Sequence, residues 1–109
     1  MSFDKSFSEI LTHLGKFHNS FDPKIVEKIT GLLSSSNRVF SYGAGRSGLI
    51  ARCFAHRLMH LGLKSYFLGE TITPSLSNDD ILLIVSGSGE TLSSTAFIRE
   101  ARNIGARTI

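Results

Sequence analysis

The chain has a single cysteine, Cys53, which excludes an intrachain disulfide. Cys53 reads as a small helix residue. There are only two prolines, and the longest unbroken aliphatic run is the five residues from Ile81 to Val85. A run that short cannot span a bilayer, so no membrane partner is expected. The opening Met1-Ser2-Phe3-Asp4-Lys5 has neither the basic region nor the apolar stretch of an export signal. A cytoplasmic location is the expectation. Lysine and arginine are scattered singly rather than clustered, which argues against nucleic acid. No internal repeat, low-complexity tract or linker is visible. What is present is an ordinary globular composition, 41% hydrophobic and 19% charged over 109 residues. That length suits one domain with one core. The formal charge of +3 is a mild excess that suits anionic metabolites.

The most informative stretch is Ser86-Gly87-Ser88-Gly89-Glu90-Thr91. It follows the apolar run Ile81 to Val85 and precedes a helical pattern that begins at Leu92. A buried strand, a short loop of glycine and hydroxyl residues and a helix together build an anion site. The glycines let the backbone turn sharply and approach a ligand. The helix N-terminus offers unpaired N–H groups and a partial positive charge. Ser86, Ser88 and Thr91 add hydroxyl donors, so a phosphate monoester can be wrapped without a lysine. The plainer alternative is a strand-to-helix turn with Ser88 or Thr91 as its N-cap.

Three further stretches accompany this loop: Tyr42-Gly43-Ala44-Gly45-Arg46-Ser47-Gly48, Arg57-Leu58-Met59-His60-Leu61-Gly62 and Gly69-Glu70-Thr71-Ile72-Thr73-Pro74. Ser-x-Ser-Gly-x-Thr after a hydrophobic strand resembles the phosphosugar loop of sugar isomerase (SIS) domains. The four stretches in this order resemble the 6-phospho-3-hexuloisomerases, the SIS enzymes of the ribulose monophosphate pathway. The resemblance runs from about Val39 to Ile109.

In chain order, Phe3, Phe7, Ile10, Leu14, Phe17 and Phe21 recur at alternating steps of four and three. This is a narrow heptad seam. Packing on the chain's own domain is the expectation for it, with an oligomer contact as the alternative. Asp22-Pro23 starts a second helix, Asp as N-cap and Pro at the first helical position. Ile25, Val26, Ile29, Leu32 and Leu33 form its apolar face. Strands are expected over 38–42, 64–68 and 81–86, and helices over 47–61 and 91–104. In the helix over 47–61, Ser47, Ile50, Ala51, Phe54, Leu58 and Leu61 share the face expected to pack on the sheet. His56 and His60, near Arg52, lie on the opposite face.

The alternation predicts an α/β fold: a parallel sheet with helices on both faces. The resemblance makes it a SIS-type, flavodoxin-like three-layer domain. Helices 1–36 precede a phosphosugar-binding α/β part over 37–109. A new strand is expected to open at Arg107 just as the chain stops. The expectation is therefore a single SIS domain cut after the start of its fourth strand, with its C-terminal part missing. The edge so left should favour association.

Two rival motifs are present. Gly43-x-Gly45-x-x-Gly48 has the form of a dinucleotide fingerprint. Glu70, however, falls beyond Gly69, late for a ribose-binding acid, and the Ser86 loop would then have no role. His56-x-x-x-His60 has metal-ligand spacing, but no third ligand is evident and Arg52 would repel a cation. No metal is expected. Asp79-Asp80 reads as a polar loop before a strand, and His13 and His18 as solvated. The resemblance implies reversible conversion of D-arabino-hex-3-ulose 6-phosphate to D-fructose 6-phosphate, with no cofactor. It assigns Ser86, Gly87, Ser88, Gly89 and Thr91 to the phosphate, and Gly43, Gly45, Arg46 and Ser47 to the phosphate or sugar. Glu70 and Thr71 lie where sugar hydroxyls could reach. His60 is the acid–base candidate, because imidazole titrates near neutral pH, and its outward position implies a site completed by a neighbouring subunit. A homo-oligomer, a tetramer by resemblance, follows. The alternative from another class is a non-catalytic sugar-phosphate-binding module.

Overall fold

The computed structural model describes residues 2–87 and 92–109. Two helices come first, α1 (Phe3–Ser20) and α2 (Pro23–Ser35). They are followed by β1 (Val39–Tyr42), α3 (Arg46–His60), β2 (Ser65–Phe67), β3 (Ile81–Ile84), α4 (Leu92–Ile104) and β4 (Arg107–Thr108). Local chemistry sets the breaks. The Asp22 side chain accepts from the Lys24 backbone N–H at 2.9 Å, and Pro23 opens α2, as Asp-Pro predicts.

The strands form one parallel sheet in the order β2-β1-β3-β4. β1 and β3 are central and buried, and the unbroken apolar character of β3 is in keeping with that place. Alternate side chains of these strands feed two cores. Val39, Ile81 and Leu83 pack with Leu33 of α2 and Leu58 of α3. Phe40 and Leu82 pack with Ala101 of α4 and with Ala106. The result is the expected three-layer α/β arrangement, α2 and α3 on one face and α4 on the other.

Three expectations need correction. The sheet-facing residues of α3 are Gly48, Ala51, Ala55 and Leu58. Ile50 and Leu61 are exposed. Small residues win this face because they let the helix backbone sit close to the sheet, while the bulkier ones are rotated outward. In α2 only Leu33 is buried, and Ile25 and Val26 stay exposed. The phenylalanine seam of α1 does not pack on the domain, since no residue of α1 is buried. The sheet face it would have covered is already taken by α2 and α3.

The polar-loop expectation for Asp79-Asp80 also changes. Asp80 is buried, 1% exposed, and bound by Arg38 and Ser77. Burial pushes its carboxyl up, but hydrogen bonds from Arg38 and Ser77 outweigh this and hold it below the usual carboxylate range. The same contact raises the Arg38 guanidinium.

Candidate functional site

β1 and β3 lie side by side, with Tyr42 opposite Ile84. The chain continues from β1 into α3, which leads to the edge strand β2, and from β3 into α4, which leads to the opposite edge strand β4. The strand order therefore switches between β1 and β3. Ligands in open α/β sheets bind beyond the carboxyl ends of the strands at such a switch. The Gly43–Gly45 loop leaves β1 there. Val85, whose N–H donates to the Tyr42 carbonyl at 2.9 Å, carries β3 to the same end. Ser86 and Gly87 follow. Ser88, Gly89, Glu90 and Thr91 of the predicted cradle lie outside the described residues.

The Gly43 loop is pressed against the first turn of α3. A Cβ on Gly43 would stand 2.7 Å from the Ser47 carbonyl group and 2.8 Å from the Gly48 N. A Cβ on Gly48 would meet the Gly43 carbonyl oxygen. Gly45 caps the helix with φ at 57° and ψ at −130°, a conformation that favours glycine. Its cap has no side-chain hydrogen bond; the Gly48 N–H donates to the Gly45 carbonyl at 3.0 Å, which leaves the N–H groups of Arg46 and Ser47 uncapped at the helix start, where an anion is favoured. Arg46 opens the helix in an exposed position, and Ser47 is half-buried behind it.

Tyr42 holds the two halves of this end together. Its hydroxyl donates to Ser93 Oγ at 2.9 Å, and its ring stands edge-on to Phe97 at 4.6 Å and near Phe67 at 6.0 Å. One side chain of β1 thus fixes the start of α4. Sequence reasoning had no signal for Tyr42 as an organiser, because the contact spans 51 positions.

Glu70 and Thr71 follow the end of the edge strand β2, on the outer side of β1. Glu70 is ion-paired with Arg52 of α3, each side chain about half exposed. Arg52 also lies over the Phe67 ring at 4.1 Å. The carboxylate is thereby anchored at the rim, and Thr71 is exposed beside it. On the α4 side, a cleft of about 220 Å³ lies beneath the 69–76 segment, lined by Leu68, Thr73, Leu76 and Phe97 among others. It is apart from the Gly43 loop.

His60 is elsewhere. It ends α3, whereas Arg46 begins it at the loop, and a helix of this length separates its ends by about 20 Å. Within one chain His60 does not meet the Gly43–Gly45 loop. Its ring stacks at a tilt on His56, centroids 4.2 Å apart, and both are exposed. The outward position expected of both is what the structure has. Among the described residues no group of three or more His, Cys, Asp or Glu could hold a metal ion. Also among them, no helix is long and apolar enough to cross a membrane.

Comparison with known proteins agrees with this geometry. Residues 32–109 match the SIS domain. The chain is 45% identical over 97 residues to the 3-hexulose-6-phosphate isomerase of Methanocaldococcus jannaschii, covering 88% of this chain and 54% of that one. It is 43% identical over 83 residues to the Bacillus subtilis protein of the same name, covering 73% of this chain and 45% of that one. A crystal structure of a hypothetical protein, 40% identical, superposes with a TM-score of 0.90 over 94% of this chain and 54% of its own. The chain spans about half the length of the curated relatives it matches. With two Gly-containing loops at the β1/β3 switch and this match over most of its length, the chain belongs to the SIS domain family.

Proposed function

We propose that this chain carries the sugar-phosphate-binding part of a 3-hexulose-6-phosphate isomerase. The reaction interconverts D-arabino-hex-3-ulose 6-phosphate and D-fructose 6-phosphate, as in the ribulose monophosphate pathway. The observation that carries the reading is the convergence of the Gly43–Ser47 and Ser86–Gly87 segments at one end of the two central strands. The names of the relatives give the reaction class.

In this reading the backbone N–H groups at the start of α3 and the Ser86 loop hold the 6-phosphate. Close approach is allowed by Gly43, Gly45 and Gly87, with Ser88, Gly89 and Thr91 completing the cradle. Ser47 and Arg46 face the phosphate or the sugar. Glu70 and Thr71, at the neighbouring strand end, reach sugar hydroxyls. The chemistry moves a carbonyl between C3 and C2 through an enediolate. A base takes the proton from the carbon beside the carbonyl, and an acid protonates the neighbouring carbon. The hydroxyl proton passes the same way, from the oxygen of the carbon that loses its proton to the oxygen of the carbon that gains one. Atoms and electrons balance without a redox partner. His60 enters only from a second copy, given its distance from its own loops.

The test is thermal stability of the chain with fructose 6-phosphate, inorganic phosphate and NAD, followed by incubation with fructose 6-phosphate in D2O. Sugar phosphate at 100 times its dissociation constant stabilises by about 2.7 kcal/mol. Deuterium wash-in at C3 of the ketose then reports the enediolate. Stabilisation without wash-in supports the non-catalytic binding module. Stabilisation by NAD alone would overturn the reading in favour of a dinucleotide site.

A further inference from the structure

The Phe67 ring links two parts of the candidate site. Phe67 ends the edge strand β2. A Cβ on Gly48, in the first turn of α3, would stand 4.0 Å from its Cζ, and one on Gly69 would stand 4.0 Å from its Cε1. The ring thus bridges the Gly43 side of the site and the turn that leads to Glu70. Arg52 lies over this ring, its guanidinium carbon 4.1 Å from the centroid, and is ion-paired with Glu70. Helical side chains tilt toward the N-terminus of their helix. Arg52, in the middle of α3, is therefore directed toward the end where the Gly43 loop enters.

The main chain at Glu70 has its own support. The Thr73 hydroxyl lies 3.2 Å from both the Phe67 and the Glu70 carbonyl oxygens. These contacts hold the backbone and not the side chain, which is about half exposed and would otherwise spread over its rotamers. We infer that Arg52 is a positioning residue for sugar recognition: seated on the Phe67 ring, it fixes the Glu70 carboxylate in the orientation that meets sugar hydroxyls. The inference rests on the proposed role of Glu70 in meeting the sugar. A carboxylate accepts at both oxygens, so Oε1 stays on Arg52 while Oε2 takes a hydroxyl. Guanidinium suits this place because it is always charged and stacks on aromatic faces. An ion pair this exposed contributes little to stability, so its effect falls on orientation. Inorganic phosphate occupies only the loop end, and its binding is independent of Arg52.

Binding of fructose 6-phosphate and of inorganic phosphate is measured by calorimetry for the parent chain, Arg52→Met, Arg52→Lys, Glu70→Gln and the double variant Arg52→Met with Glu70→Gln. Methionine keeps an apolar stem on the ring and suits a helix, so the circular dichroism and thermal midpoint of Arg52→Met should match the parent. Arg52→Met should weaken fructose 6-phosphate binding roughly three- to tenfold and leave inorganic phosphate unchanged. The double variant should lose no more than Glu70→Gln alone, because Arg52 acts through Glu70. Lysine, which keeps the cation, should recover most of the loss. Additive losses in the double variant, or equal weakening of both ligands by Arg52→Met, would overturn the positioning role. Unaltered sugar-phosphate binding by Arg52→Met beside a weakened Glu70→Gln would overturn it too, while keeping Glu70 in the site. Equal binding by the parent and Glu70→Gln would instead remove the inference together with the placing of Glu70 on which it rests.

Discussion

Arg38 and Asp80 lock the entry ends of the two central strands with a two-pronged contact. Arg38 Nε donates to Asp80 Oδ1 at 3.0 Å and Nη2 donates to Oδ2 at 2.6 Å. Arg38 stands one residue before β1 and Asp80 one before β3. The Ser77 N–H and hydroxyl donate to the same carboxylate at 2.7 and 3.0 Å. A fork of this kind fixes the register of β1 on β3, and with it the spacing of the two loops at the far end.

The pair makes stability pH-dependent in one direction. The Asp80 carboxyl is held below its unfolded value, so as pH falls the unfolded chain takes up the proton first. The contribution is whole above about pH 4 and is lost as pH falls through the folded value. Thermal denaturation at descending pH should show this loss, and Asp80→Asn should flatten it. At neutral pH, Asp80→Ala strands the Arg38 guanidinium and the part-buried Ser77 N–H and should cost about 1–3 kcal/mol.

Gly48→Ala and Gly31→Ala should move stability in opposite directions. A Cβ on Gly48 collides with the Gly43 carbonyl, backbone that cannot give way. Loss of about 1–3 kcal/mol is expected, with weaker phosphate binding as the loop is forced off α3. Nothing lies within 4 Å of a Cβ on Gly31 in α2, and alanine there should stabilise by about 0.5–1 kcal/mol. Denaturant midpoints of the two variants check the contrast.

Ser41 is fully buried in β1, and its hydroxyl has no hydrogen-bond partner among the described residues. Ser41→Ala removes an unpaired polar group without opening space. A gain of about 1 kcal/mol is expected, read as a midpoint roughly 4–8 °C higher. A fall in midpoint would show that the hydroxyl is satisfied in solution.

Arg52 and Glu70 separate function from stability. Both are about half exposed, and such pairs contribute roughly 0.2–1 kcal/mol. Glu70→Gln should therefore leave the thermal midpoint nearly unchanged. If Glu70 orients sugar hydroxyls, the same variant weakens sugar-phosphate binding while inorganic phosphate binding is kept. Equal binding of both by variant and parent would remove Glu70 from the site.

Much of this was legible in the residues. The run Ile81 to Val85 could only be a buried strand, Asp22-Pro23 could only open a helix, and Gly43-x-Gly45-x-x-Gly48 required a tight loop entering a helix. These are local effects of backbone freedom, capping and hydrophobic period, so they survive without knowledge of the neighbours. The heptad of α1 was equally plain, but its partner was not, because a seam specifies its spacing and not who covers it. Only the tertiary structure decided which side of α3 meets the sheet, where close approach favoured Gly48, Ala51 and Ala55 over the larger Ile50 and Leu61. Only it turned Asp80 from a loop residue into a buried anchor, through an arginine 42 positions away. It also separated His60 from the Gly43–Gly45 loop by the length of a helix. Pairings of this kind depend on chain crossings that bring distant segments together, and no local pattern encodes them.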